Sequence, residues 1–142
     1  MHDSFKALLP MIIPEGVSDY FALWIGIVKL VDNNKEVYAI YLTGSDSYDE
    51  DDIDWSTEPV YEPENRYVIV GVLNEIDEII VNDNDGDYSF LDWILPLAYC
   101  ALTFDDIIST KLNKKLFLNS KAKLFVSLGH DSGDYKDLSV IQ

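Results

Sequence analysis

The sequence predicts an α+β fold: a mostly antiparallel sheet packed against one or two long helices, with a long acidic loop, in a single domain over residues 1–142. Three observations carry the prediction. Two apolar runs, Tyr20 to Val31 and Val37 to Thr43, are rich in aromatic and β-branched residues and are joined by the polar cluster Asp32, Asn33, Asn34 and Lys35. That is a hairpin pattern. A long segment from Phe90 to about Thr110 is apolar nearly all round at its start and amphipathic later, as a helix packed in a core would be. Between Ala122 and Leu128, apolar and other residues alternate with the period of a half-buried strand.

Taken in order, the chain opens with Phe5, Leu8, Leu9 and Ile12 at helical spacing, with Ser4 as a cap and with Pro10 and Pro14 keeping the helix short. Gly16 marks a turn. The hairpin follows, and its second strand is apolar on both faces, which predicts a central position covered by a helix on at least one side. The acidic segment comes next. Pro59 and Pro63 prevent it from being one continuous helix or a central strand, which leaves an irregular excursion with one helical turn around Asp51 to Trp55. Tyr67 to Val70 has strand character. Ile69, Val72, Leu73, Ile76, Ile79 and Ile80 then take up helical spacing, so a short strand passes into a helix ending near Asn82.

Asp83 to Asp87 forms a turn, and Ser89 is a candidate cap for the long helix. Pro96 kinks that helix or starts a second one. Lys111, Lys114 and Lys115 suit its negative end. After the strand at Ala122 to Leu128, the glycine-rich turn Gly129 to Asp134 leads to a last short strand at Leu138 to Ile141.

The charge is lopsided. The chain carries 26 acidic and 10 basic residues, a formal net charge of −16. Between Gly44 and Asp106 there are 18 carboxylates and one base, Arg66, so this part has a net charge of −17 and the remainder +1. Such a field repels nucleic acid and anionic membrane, and it speeds encounter with basic proteins. The densest part, Gly44 to Asn65, combines Asp46, Asp49, Glu50, Asp51, Asp52 and Asp54 with Tyr48, Ile53, Trp55 and Tyr61. Charge to attract a cationic partner together with aromatic anchoring area makes a candidate contact surface. The competing reading is a solvated loop whose aromatic groups fold back onto their own domain.

Catalytic signatures are absent from the sequence, which predicts a protein that is not an enzyme and has no cofactor. The fragment DNDGDYSFLD resembles part of a calcium loop, but setting Gly86 at the sixth position puts Val81 where the first carboxylate ligand belongs. A turn is the stronger reading. His130, Asp131 and Ser132 are neighbours on one turn, which seldom gives triad geometry. With 26 acids some carboxylate pair is bound to arise, so a calcium or magnesium module or a small carboxylate hydrolase stands only as an alternative, beside a structural or regulatory partner protein. Cys100, the single cysteine, lies in an apolar run and reads as a buried small hydrophobe. No signal peptide and no membrane-length apolar run is present, which predicts a cytoplasmic location.

Two stretches resemble ones seen in immunity proteins of bacterial polymorphic-toxin and contact-dependent inhibition systems. One is LDWILPLAYCAL, Leu91 to Leu102, and the other is FVSLGHDSGDYKDL, Phe125 to Leu138, which looks like the closing hairpin of several such families. Together they cover under a fifth of the chain, and His130 stands where those families usually have a hydrophobic aromatic. The resemblance implies a cytoplasmic protein that binds one cognate toxin domain, often a cationic nuclease, and blocks its active site. Its partner would be a basic protein rather than nucleic acid or membrane.

Overall fold

The computed structural model describes residues 21–118, 121–131 and 133–142. The helix expected at Phe5 to Ile12 lies outside them. Strands β1 (Ala22–Asp32), β2 (Lys35–Ser45), β3 (Val68–Ile69), β4 (Phe125–His130) and β5 (Tyr135–Asp137) form one sheet in the order β3-β2-β1-β4-β5. The pairs are antiparallel except β1 with β4, which run parallel, so the α+β sheet is mixed and mostly antiparallel. Helices α1 (Gly71–Val81), α2 (Leu91–Thr110) and α3 (Lys114–Leu118) lie between β3 and β4 in the chain.

The hairpin between β1 and β2 turns through Asn33 and Asn34, with φ of 49° and 66°. Positive φ at both positions is the type I′ turn, which matches strand twist, and asparagine tolerates it. Lys29 to Asp77 at 3.2 Å and Lys35 to Glu78 at 2.9 Å then clip the hairpin to α1.

β3 is only two residues long, and α1 takes over the edge of β2. The Tyr38 backbone N–H donates to Asn74 Oδ1 at 2.7 Å, and the Val70 N–H donates to the Tyr38 carbonyl at 3.1 Å. The amide of Asn74 thereby satisfies a ladder group that the short strand leaves open.

The main core lies on the helix face of the sheet. Leu23, Ile25 and Ile27 of β1, Ile40 and Leu42 of β2, and Val126 and Leu128 of β4 pack against Cys100, Phe104, Ile107 and Ile108 of α2 and Leu73 of α1. Burial pushes the Cys100 thiol up to about 12 from its ordinary value of 9.0. The folded chain therefore holds that proton more tightly than the unfolded one, and stability falls as pH rises from about 9 toward 12. A chromogenic thiol reagent at pH 8 is expected to leave native Cys100 unmodified and to react at once in denaturant. Fast reaction of the native protein would contradict this packing.

Several expectations need correction. The long helix has no Ser89 cap: Phe90 occupies the cap position without a side-chain hydrogen bond, and carbonyl acceptors on Tyr88 and Ser89 take the N–H groups of Leu91 and Asp92 instead. Nor is the start of α2 buried all round. Pro96, Cys100, Phe104, Ile107 and Ile108 form one buried stripe, while Trp93 is 45% exposed and Leu102 75% exposed. A single sheet covers one stripe of a helix, and apolar spacing does not say which stripe. Lys114 and Lys115 belong to α3 rather than to the end of α2, which stops at Thr110. β4 is buried on both faces, because the acidic excursion covers the side away from the helices. The last named strand is Tyr135–Asp137, with Ile141 adding only an isolated bridge to Leu124.

Pro96 lies inside α2 and does not interrupt it. A proline cannot donate to the carbonyl four residues earlier, here that of Asp92. The Tyr38 hydroxyl donates to this carbonyl at 2.9 Å, and His130 Nε2 donates to the neighbouring Trp93 carbonyl at 2.8 Å. The sheet thus supplies a donor to the carbonyl that Pro96 leaves open, and a second donor to its neighbour. Tyr38→Phe is expected to destabilise the fold by about 1 kcal/mol through the orphaned carbonyl. Urea unfolding tests this, and Pro96→Ala in the same background should recover most of the loss.

Candidate functional site

The acidic excursion starts and ends on one residue. Gly44 N–H donates to the Tyr61 carbonyl at 2.9 Å, and the Gly44 carbonyl accepts from Val60 and Tyr61. Residues 45–60 are therefore a loop with its ends tied together, as compact surface loops are. Its inner side packs on the sheet face opposite the helices. Trp55, 8% exposed, sets its ring edge-on to Trp24 at 6.4 Å and tilted to Tyr48 at 5.4 Å. Tyr48 stacks flat on Phe125 of β4 at 4.1 Å. Buried Ser45 donates to the Trp55 carbonyl at 3.0 Å, fixing the 3-10 turn Ile53–Ser56 to the end of β2.

The outer side of the loop is charge. Asp46, Asp49, Glu50, Asp51, Asp52 and Asp54 are all exposed, and none is paired with a cation among the described residues. Two of them also shape the backbone: Asp49 Oδ1 accepts from the Asp51 N–H at 2.9 Å, and Asp52 Oδ1 from the Asp54 N–H at 3.0 Å. Tyr61 is half-buried at the loop's closing bridge, and burial raises its pKa. Of the residues singled out in the sequence, the carboxylates thus face outward, while Trp55, Tyr48 and Tyr61 spend much of their surface on the fold.

Beside the loop, the same sheet face holds a cleft of about 450 Å³. Trp24 and Tyr41 form its floor with Thr43, and Asp54, Glu62 and Asp131 stand around it. The floor follows from register. Trp24 lies opposite Thr43, and Gly26 lies opposite Tyr41 and beside Gly129. With no side chain at Gly26, the Tyr41 ring lies across that strand; a Cβ there would come within 2.0 Å of the ring. Trp24 Nε1 donates to Tyr41 Oη at 3.1 Å, and Tyr41 Oη donates to Asp131 Oδ1 at 2.5 Å. Burial first, then the Asp131 carboxylate, holds the Tyr41 pKa far above its ordinary value, so the phenol stays a donor.

Gly26→Ala is expected to expel the Tyr41 ring and to cost about 1–3 kcal/mol by overpacking. Urea unfolding measures the loss, and a changed Trp24 indole N–H resonance reports the lost hydrogen bond. An unshifted resonance would contradict the Tyr41 placement.

A second cleft, of about 530 Å³, adjoins the first at His130 and Asp131 and reaches Lys29, Tyr38, Asp92 and Trp93. Of the contact surface proposed from sequence, Ile53 and Asp54 line the first cleft. The glycine within the apolar strand at Gly26 was the available signal, since it marks close approach of another group. Among the described residues, no group of three or more His, Cys, Asp or Glu is placed to hold a metal ion, and no helix is long and apolar enough to cross a membrane. In the Asp83 to Asp87 turn, Asp83 Oδ2 accepts from the Tyr88 N–H at 3.2 Å and Gly86 takes φ of 69°.

Compared with protein-family models, curated proteins and solved structures, the chain matches none.

Proposed function

We propose that this protein binds a basic protein partner, a toxin domain of nuclease type, and neutralises it by covering its active site. The observation that carries the reading is the outward row Asp46, Asp49, Glu50, Asp51, Asp52 and Asp54, exposed and without cationic partners among the described residues. Acids outside the row do pair with cations: Asp77 with Lys29, Glu78 with Lys35, Glu62 with Arg66 and Asp106 with Lys111. Within the row Asp49 and Asp52 serve the loop's backbone, and the unpaired charge as a whole raises self-repulsion. It complements the Lys and Arg that a nuclease presents to phosphate. Exposed Trp93, across the shared His130–Asp131 turn, adds aromatic anchoring area. The action is binding without catalysis, and it takes place in the cytoplasm, where a cognate toxin would reach its target.

Affinity capture from a lysate of the source organism, run at low and high salt with bound proteins identified by mass spectrometry, tests the reading. A single basic domain, retained at low salt and released as salt rises, is the expected result. Enrichment of acidic or neutral proteins alone would overturn it.

A further inference from the structure

The cleft beside the acidic loop has a more specific chemistry than the loop itself. Its carboxylates, Asp54, Glu62 and Asp131, come from three separate segments, so their convergence is not a run of charge along the chain. Among the described residues neither Lys nor Arg lines it, and Arg66 stands 3.7 Å from Glu62. Its donors are spent internally. The Trp24 indole N–H goes to Tyr41, and the Tyr41 hydroxyl goes to Asp131. What remains is mostly acceptors: carboxylate oxygens of Asp54, Glu62 and Asp131, and the Thr43 hydroxyl, which can accept as well as donate.

Thr43 points to a ligand independently of the acids. Its side chain is only 4% exposed, lies on the cleft floor opposite Trp24, and has no hydrogen-bond partner among the described residues. A hydroxyl on a cleft floor without a protein partner is free to hydrogen-bond a polar group that enters. The entering group must bring several donors and positive charge, and the aromatic surface it meets is the half-buried Tyr41 ring, since Trp24 is buried in the floor. A guanidinium has that combination: a planar cation with five N–H donors that stacks on aromatic faces and binds carboxylates in a fixed fork. An ammonium is a point charge and uses the aromatic floor less well.

We propose that this cleft is a guanidinium-binding site that receives an arginine side chain of the partner. The proposal deepens the reading of a basic partner and rests on it for the source of the arginine, but the site itself can be tested without any partner. The probe is N-acetyl-L-arginine amide, titrated into the full chain while the Trp24 indole N–H is followed by 1H–15N NMR. N-acetyl-L-citrulline amide, nearly the same shape without the charge, is the control.

The expected result is a saturable shift of Trp24 in the millimolar range with the arginine probe and at least tenfold weaker binding of the citrulline control. Asp131→Asn should weaken the arginine probe at least fivefold. Asp54→Asn, at the exposed rim and away from the floor, repeats the test should the first variant disturb Tyr41. Equal response to both probes, no shift of Trp24, or unchanged binding in both variants would overturn the site. If the probe fails while capture still yields a basic domain, the function stands and the cleft is not its arginine site. If the probe binds but capture yields no basic protein, the site stands and its ligand is another guanidinium compound.

Discussion

Trp55→Ala is expected to lower the unfolding free energy by about 3–5 kcal/mol, the range for removing a large aromatic from a packed site. Trp55 is the only buried residue of the 3-10 turn and joins the smaller core of Ala22 and Trp24, with Tyr48, Ile53 and Phe125 packed around it. Alanine leaves a void between the loop and β1 that these neighbours can fill only in part. The loop's ends stay tied at Gly44 and Tyr61, so the void cannot close by letting the segment drift away. Equilibrium urea unfolding measures the loss, with Trp55→Phe expected to lose less because it keeps a ring against Tyr48. A loss below about 1 kcal/mol in the alanine variant would mean that the loop is not packed as described. The result bears on function as well. An effect of Trp55→Ala on partner binding acts through the loop's support, and it separates from a direct contact only when stability is measured alongside.

That burial shows where sequence reasoning reaches and where it stops. The hairpin was legible because two apolar runs and an Asn-Asn turn each specify their backbone locally, and the structure has φ > 0 at both asparagines. The passage from a short strand into α1 was legible because the spacing of apolar residues changes period at Gly71. The parallel pairing of β1 with β4 was not, since it depends on how the chain returns after three helices. The exposed flank of α2 was missed for a related reason. Spacing marks Ile94, Leu95 and Leu102 as apolar, whereas exposure depends on what the rest of the fold brings to that flank. The acidic loop was legible as an irregular excursion, but a composition of acids and aromatics fits both a contact surface and a folded-back loop. The structure divides it by side, with aromatic rings inward and carboxylates outward. The cleft lay furthest out of reach. Trp24, Tyr41, Glu62 and Asp131 meet only through strand register and the closing turn, and no stretch of sequence contains them together.

Replacing Asp49, Asp51, Asp52 and Asp54 together by Asn is expected to slow association with the captured basic domain about tenfold or more at low salt, with a much smaller change in dissociation. The four substitutions change the formal charge from −16 to −12. They do so on the face where cationic pairing among the described residues is lacking, so little internal attraction is lost in exchange. The variant is also structurally conservative. Asp49 and Asp52 accept backbone N–H bonds from Asp51 and Asp54, and an asparagine side-chain oxygen can accept the same bonds. The melting temperature should therefore not fall, and relief of like-charge repulsion works toward raising it. Salt separates steering from contact. At an ionic strength near 1 M the screening length drops to about 3 Å, and wild type and variant should associate at the same rate. If the two instead differ equally at low and high salt, the carboxylates make short-range contacts within the interface, and loss of affinity should appear in the dissociation rate. If they do not differ at any salt, the acidic loop lies outside the interface, and the surface around Trp93 becomes the face to mutate next.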